Sequence, residues 1–141
     1  MIRVCDLMHR GVVTCSPDDN LEHVARIMKA NQFRSVVVAH ESGEVWGLIS
    51  MIDLVRHYGQ DLTKIRAEDV MRPYRIDVDP QWPIEKAIGL MKRRKIEHLI
   101  IIDPHAGPQR PIGILTSFDI VLHMSAIETG RFEQMLKMLA E

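Results

Sequence analysis

The chain has 141 residues, 46% of them hydrophobic and 26% charged, with a formal net charge of −1. This is the size of one domain or of two small lobes sharing a core, with the composition of an ordinary globular protein. A charge so near zero provides no general attraction to nucleic acid or to anionic membranes, and 5% aromatic residues are too few for a base-stacking surface. The opening MIRVCDLMHR lacks the apolar run of a signal peptide, and stretches such as VVVA and LIII are far too short to span a bilayer. A cytoplasmic protein is expected, with no nucleic-acid and no membrane partner. Cys5 and Cys15, the only cysteines, lack CxxC spacing and read as reduced, partly buried thiols.

Taken in chain order, the predicted elements are written twice. A lead-in, CDLM at 5–8, returns as EDVM at 68–71. An extended piece follows at 12–15, or 76–78, and ends at a turn containing Pro17 or Pro80. The next segment, 21–31 or 84–94, is predicted helical. Its apolar residues Leu21, Val24, Ala25, Ile27 and Met28 share one face, as do Ile84, Ala87, Ile88, Leu90 and Met91. A short buried strand follows at 35–39 or 98–102, and Ser42-Gly43 marks a turn in the first copy. A second strand, 45–49 or 112–115, runs into a helix starting near Ser50 or Thr116.

The step between copies is 63 residues from Pro17 to Pro80 and 66 from Gly47 to Gly113. Three extra residues therefore sit in the second copy, and the polar stretch PHAGPQRP at 104–111 accommodates them. Strands that are aliphatic throughout imply a sheet covered on both faces or lying at a lobe interface. One copy of roughly 60 residues buries too little apolar surface to be comfortable alone. Two copies packed sheet to sheet solve that problem. The expected organisation is a first repeat at 1–62, a second at 63–126, and a helical tail at 127–141. In the tail, Phe132, Met135, Leu136 and Leu139 form an apolar stripe, which serves either its own domain or a dimer or partner contact. The nine methionines read mostly as core filler.

The sharpest repeated signal is a frame. Residues 47–53 read GLISMID and 113–119 read GILTSFD. Ser50-x-x-Asp53 and Thr116-x-x-Asp119 have the spacing of a helix capping box, which suits the positive helix end. The same residues also suit ligand binding. Free amides at a helix mouth attract anions, the glycine admits a close backbone or ligand, and a first-turn carboxylate can grip a ribose diol. The two readings are compatible.

The double frame G-h-h-[ST]-x-x-D, the D-h-M lead-in and the helix-then-aliphatic-strand order resemble paired cystathionine-β-synthase (CBS) domains, the Bateman module, over about residues 3–124. The resemblance implies an α/β (α+β) fold of two βαββα lobes packed through their sheets with pseudo-two-fold symmetry, plus the C-terminal helix. It implies adenosyl ligands in two clefts: AMP, ADP or ATP foremost, with S-adenosylmethionine or NAD as alternatives. It also implies regulation rather than catalysis, a homodimer, and a regulated partner protein. By carry-over from the family, one cleft joins Ile114, Thr116 and Asp119 with Thr14, Arg34, Ser35 and Val36. The other joins Leu48, Ser50 and Asp53 with Asp77, Glu97, His98 and Leu99. The first is expected to be the better phosphate site, because Thr14 supplies a hydroxyl and Arg34 a cation. Asp77 and Glu97 stand at the corresponding positions of the second, where two acids would repel phosphates, so that cleft is expected to be empty or to take a ligand with less negative charge.

Other features read plainly. Asp53/His57 and Asp119/His123 are i, i+4 neighbours without a third ligand placed by spacing, so no metal is expected. Lys92-Arg93-Arg94-Lys95 has the charge to bind nucleic acid or phosphates, but its plainer reading is a solvated helix end, favourable at the negative C-terminus. No nucleophile elbow and no P-loop is present, so catalysis has no visible machinery. The rival to nucleotide sensing is a pure interaction or dimerisation module in which the frames are only helix caps.

Overall fold

A computed structural model of the chain describes residues 1–31, 34–73, 76–105 and 110–140, the side chains of 127–137 and 140 excepted. Helix α1 (Val4–Leu7) and strand β1 (His9–Arg10) open the chain. They are followed by β2 (Thr14–Cys15), α2 (Leu21–Asn31), β3 (Ser35–Ala39), β4 (Val45–Ser50) and α3 (Met51–Val55). After a single 3-10 turn at Leu62–Lys64 come α4 (Ala67–Val70), β5 (Arg72–Pro73), α5 (Ile84–Arg94), β6 (His98–Ile102), β7 (Pro111–Thr116) and α6 (Ser117–Ala140).

The two long helices form where the 3.6-residue period predicts, at 21–31 and 84–94. Leu21, Val24 and Met28 are the buried face of α2, and Ile84, Ala87 and Met91 that of α5. Asn20 caps α2 by accepting from the His23 amide at 2.9 Å. Helix α5 stops at Lys95, whose φ of 53° and ψ of 46° turn the chain left-handed, and the Ile96 amide closes back onto the Met91 carbonyl.

The strands make two sheets, ordered β2-β3-β4-β5 and β1-β7-β6. Side chains alternate across each strand, and both faces are covered. Val36 and Val38 point into the helix side of the first lobe, Leu99 and Ile101 into that of the second. Between them, Val37, Val45, Ile100, Ile102 and Ile114 pack against one another with Val12 and Leu48. This third cluster draws on both copies, so the sheets do pack face to face, as the aliphatic strands predict.

The short elements were not legible in advance. Each lobe is completed by the lead-in of the other copy. The first residues of the chain cross to the second lobe: Val4 donates to the Trp82 carbonyl, Cys5 to that of Pro80, and Ile84 to that of Ile2. The second lead-in repeats those contacts on the first lobe: Ala67 donates to Asp19, Glu68 to Pro17, and Leu21 to Ile65. Val4 and Ala67 are fully buried in the lobes they join. Strand β1 then pairs with β7, and β5 with β4.

Some sequence readings change. Helix α6 runs without interruption from Ser117 to Ala140, so the stretch from 127 continues the helix that follows the second frame. The stripe residues Phe132, Met135 and Leu136 lie outside the described side chains, while Met138 and Leu139 are exposed. Met28 and Met91 fill core space as expected. Met1, Met51, Met124 and Met138 are more than half exposed, because they lie at the chain start or on the outer faces of α3 and α6.

Candidate functional site

Both frames cap their helices. Ser50 and Thr116 are the residues preceding α3 and α6, and Asp53 and Asp119 fold back onto them. Asp53 Oδ2 accepts from the Ser50 amide and hydroxyl, both at 2.9 Å. Asp119 Oδ2 accepts from the Thr116 amide at 2.8 Å and its hydroxyl at 2.9 Å. The remaining oxygens face the crossing lead-ins. Arg72 Nε donates to Asp53 Oδ1 at 3.0 Å, and His9 Nε2 lies 2.6 Å from Asp119 Oδ1. His9 and Arg72 are repeat equivalents, 63 positions apart. The frame glycines serve the same lead-ins. A Cβ on Gly47 would come within 2.6 Å of the Arg72 carbonyl oxygen, and one on Gly113 within 2.4 Å of that of His9. Glycine is therefore set by a neighbouring backbone.

Part of the amide supply at the helix mouths is already taken. The Ser50 amide is taken by Asp53, and the Met51 amide by the Arg34 carbonyl at 3.1 Å. In the second frame the Ser117 amide goes to Glu97 at 3.0 Å. Nor does Asp53 pair with His57. Helix α3 ends at Val55, and the His57 ring bonds to Gln60 instead.

Beside the first frame lies a cleft of about 860 Å³ with walls from both copies. Leu48, Ser50, Asp53 and Arg72 form one wall, and Ile76, Arg94, Lys95, Ile96, Glu97 and His98 the other. Leu48 on the first wall and Ile76 and Ile96 on the second give it apolar surface. Arg34, Arg72, Arg94 and Lys95 oppose Asp53 and Glu97, so among the described residues four cations against two carboxylates leave a formal excess of two positive charges. Sequence reasoning missed Arg72 and set Arg94 and Lys95 aside as part of a solvated run. The phosphate repulsion expected here from Asp77 and Glu97 does not follow: Asp77 is not among the lining residues and the cations outnumber the acids. Arg72 sits in a lead-in that no periodicity marks, and the left-handed turn at Lys95 carries the end of a seemingly solvated basic run to the cleft.

Of the residues assigned to this cleft by resemblance, Leu48, Ser50, Asp53, Glu97 and His98 line it. Leu99 is fully buried in the second lobe's core, and Asp77 is exposed beyond the cleft walls. The other group is more dispersed. Thr116 and Asp119 make the second frame, Ile114 joins the inter-lobe cluster, and Ser35 and Val36 are buried. Arg34 reaches into the Asp53 cleft, with its guanidinium 5.5 Å from the Phe118 ring centroid. Thr14 lines a separate groove of about 530 Å³ with Asp19, His40 and Arg110.

Among the described residues, three groups have shifted acidities. Burial pushes the Asp53 carboxyl up, but the Ser50 amide and hydroxyl and the Arg72 guanidinium outweigh it and hold the pKa below its ordinary value. Burial, with help from Arg34, holds His98 below its ordinary 6.5 against the opposing pull of Glu97 and Asp119. Burial and the nearby Asp19 push the Cys15 thiol up to about 12, which leaves it protonated and unreactive.

The first two shifts set a pH dependence. For His98 the unfolded chain takes up its proton first, so stability falls as pH drops below 6.5 toward the lower folded value. For Asp53 stability is present above 3.8 and is lost as pH falls through the lower folded value. Thermal unfolding followed from pH 8 to pH 3 should show both declines. His98→Gln should flatten the first and leave the second. A variant with both declines intact removes His98 as the cause.

Among the described residues no group of His, Cys, Asp and Glu could hold a metal ion, and no helix is long and apolar enough to cross a membrane.

Two duplicated lobes, joined through their sheets and each completed by the other's lead-in, define a tandem α/β module. The CBS domain family model matches residues 4–59 and 67–126, and the chain belongs to that family. The uncharacterized protein MK0525 of Methanopyrus kandleri is 30% identical over 123 residues, which cover 85% of this chain and 61% of that protein. Homoserine O-acetyltransferase of Methanosarcina acetivorans is 30% identical over 122 residues, 84% of this chain but 21% of the enzyme. The inosine-5'-monophosphate dehydrogenase of Mycobacterium leprae is 30% identical over 109 residues, 77% of this chain and 20% of that enzyme. The chain thus spans about a fifth of either enzyme. Among solved structures, the CBS domain pair of protein MJ0100, in complex with 5'-methylthioadenosine and S-adenosyl-L-methionine, superposes with a TM-score of 0.79. It is 21% identical, with 89% of this chain and 98% of that one covered. The hexameric CBS-CP12 protein from bloom-forming cyanobacteria gives 0.77 at 21% identity, covering 91% and 74%.

Proposed function

We propose that this chain is a cytoplasmic regulatory module that binds a phosphate-bearing adenosyl nucleotide, AMP, ADP or ATP, in the Asp53 cleft. It passes the resulting lobe arrangement to a dimer mate or partner protein. The observation that carries this reading is the makeup of the cleft. Apolar side chains on both walls suit adenine, a buried carboxylate beside a hydroxyl suits ribose, and four basic side chains suit phosphates. The excess positive charge disfavours a sulfonium ligand such as S-adenosylmethionine. An NAD pyrophosphate meets the same cations and belongs in the test panel. Because the walls come from both copies, a bound ligand favours the arrangement in which they close on it, and this is the lever for regulation.

A second surface supports self-association. Ile52 and Val55 on α3 and Phe118 and Val121 on α6 are each more than half exposed, and the pairs are 66 residues apart in the repeat. An apolar face repeated about a pseudo-two-fold axis matches a second copy of itself. Light scattering of the purified chain, with Val55→Glu and Val121→Glu as controls, tests the homodimer.

The nucleotide reading is tested by thermal shift with AMP, ADP, ATP, NAD and S-adenosylmethionine. A ligand at 100 times its Kd adds about 2.7 kcal/mol, which for a chain of this size raises Tm by on the order of 5–10 °C. The adenosine phosphates should give the largest shifts. No shift with any ligand would favour the pure interaction module.

A further inference from the structure

We infer that Arg72 is a specificity residue of this cleft: its guanidinium covers Asp53 and is handed to the phosphate of an incoming nucleotide, so that ligands with phosphate are selected over those without. The inference rests on the nucleotide reading above and begins with the valence of one carboxylate. An ionised carboxylate offers about four acceptor sites. The Ser50 amide and hydroxyl occupy the two on Asp53 Oδ2, each at 2.9 Å. Arg72 Nε occupies one on Oδ1 at 3.0 Å, and Arg56 Nη1 stands 3.8 Å from that same oxygen. A ribose diol brings two donors and finds at most one open site. To grip both hydroxyls, Asp53 must release a donor, and Arg72, with its long and largely exposed side chain on the cleft wall, is the one that can leave without loosening the cap of α3.

Releasing Arg72 is unfavourable unless its charge finds another anion. Asp53's side chain is only 4% exposed, so the carboxylate end of its link to Arg72 is shielded from water. Arg72's own side chain is 58% exposed and lies on the cleft wall, free to swing on its long stem. Its backbone cannot follow. Arg72 pairs with Leu48 in the β4–β5 ladder, and its carbonyl packs onto Gly47. The device is thus a side-chain pivot on a fixed strand. A ligand with ribose and phosphate satisfies both separated partners. A ligand with ribose alone leaves a guanidinium unpaired. The equivalent position in the other half is His9 at Asp119, whose short imidazole has no such reach. The two halves therefore differ in the ligands they select, although the frames match.

The test compares two probes by calorimetry: ADP, and 5'-methylthioadenosine, which keeps the adenine and the ribose diol but carries no phosphate. The unaltered chain should prefer ADP by roughly tenfold or more. Arg72→Gln should weaken ADP roughly 10–100-fold while leaving 5'-methylthioadenosine as tight or tighter, because Asp53 is uncovered. Arg72→Lys, which keeps the charge but loses the planar fork, should fall between. It carries the test if the Gln variant does not fold, and an unchanged ratio of the two affinities in Arg72→Lys then overturns the proposal. Affinities for both probes falling together would make Arg72 a mere strut between β5 and the lobe. Binding of both probes that no Arg72 variant alters overturns the proposal alone. Binding of neither probe by the unaltered chain overturns the nucleotide reading, and this inference with it.

Discussion

Gly113→Ala should destabilise the chain by about 3 kcal/mol, lowering Tm by roughly 6–12 °C, and Gly47→Ala should cost as much. Neither glycine sits at a positive φ, and the cause is contact. An added Cβ on Gly113 would stand 2.4 Å from the His9 carbonyl oxygen and 3.1 Å from Met8 Sδ. On Gly47 it would stand 2.6 Å from the Arg72 carbonyl oxygen and 2.8 Å from Met71 Sδ. The thioethers can turn aside, but the carbonyls cannot. Arg10 pairs with Gly113, and Pro73 with Gly47, in the ladders that hold the lead-ins. A methyl group there pries a lead-in from its lobe, drawing Val4 or Ala67 out of a fully buried site. Calorimetry measures the loss, and hydrogen exchange over residues 2–10 locates it for Gly113→Ala. Wild-type protection of those amides in that variant would show that the lead-in docks without needing this close approach.

Ile100→Ala should cost about 4 kcal/mol and also weaken nucleotide binding, whereas Ile101→Ala should cost a similar amount with far less effect on binding. Both side chains are fully buried, and they are neighbours on β6. They point opposite ways. Ile101 packs within the second lobe with Val78, Leu99 and Leu115. Ile100 packs between the lobes with Val37 and Val45 of the first copy. A cavity at Ile100 loosens the joint that sets the spacing of the cleft walls, with Ser50 and Asp53 on one side and Glu97 and His98 on the other. Urea unfolding gives the stability term, and calorimetry with ADP gives the binding term. Equal loss of binding in the two variants would mean that the cleft does not depend on the inter-lobe packing.

Much of this was legible because it is local. The faces of α2 and α5 follow from a 3.6-residue period, and the two-sided cover of β3 and β6 from unbroken aliphatic runs. The capping of α3 and α6 follows from a hydroxyl and an acid three residues apart. Duplication and the paired-lobe fold follow from the same string occurring twice in register. The lead-ins were different. CDLM and EDVM were visible as matching words, yet nothing in four residues says which lobe they join. Helices and strands of two to four residues carry too little period to be called from pattern.

The sequence alone thus settled what each residue requires locally: burial for Val37 and Ile100, a helix start at Ser50 and Thr116, and a glycine before each. The fold settled which neighbours meet those requirements. Arg3 bonds to Gln81 across 78 positions, and Arg72, not His57 four residues further on, takes the remaining oxygen of Asp53. The cleft's cations gather in the same way, from the end of α5, from β5 and from the start of β3. Hydrogen bonding and charge act over a few ångströms in space. Where chain segments distant in sequence come within that range depends on how the sheets pack and where the lead-ins cross, and no short window of residues records it.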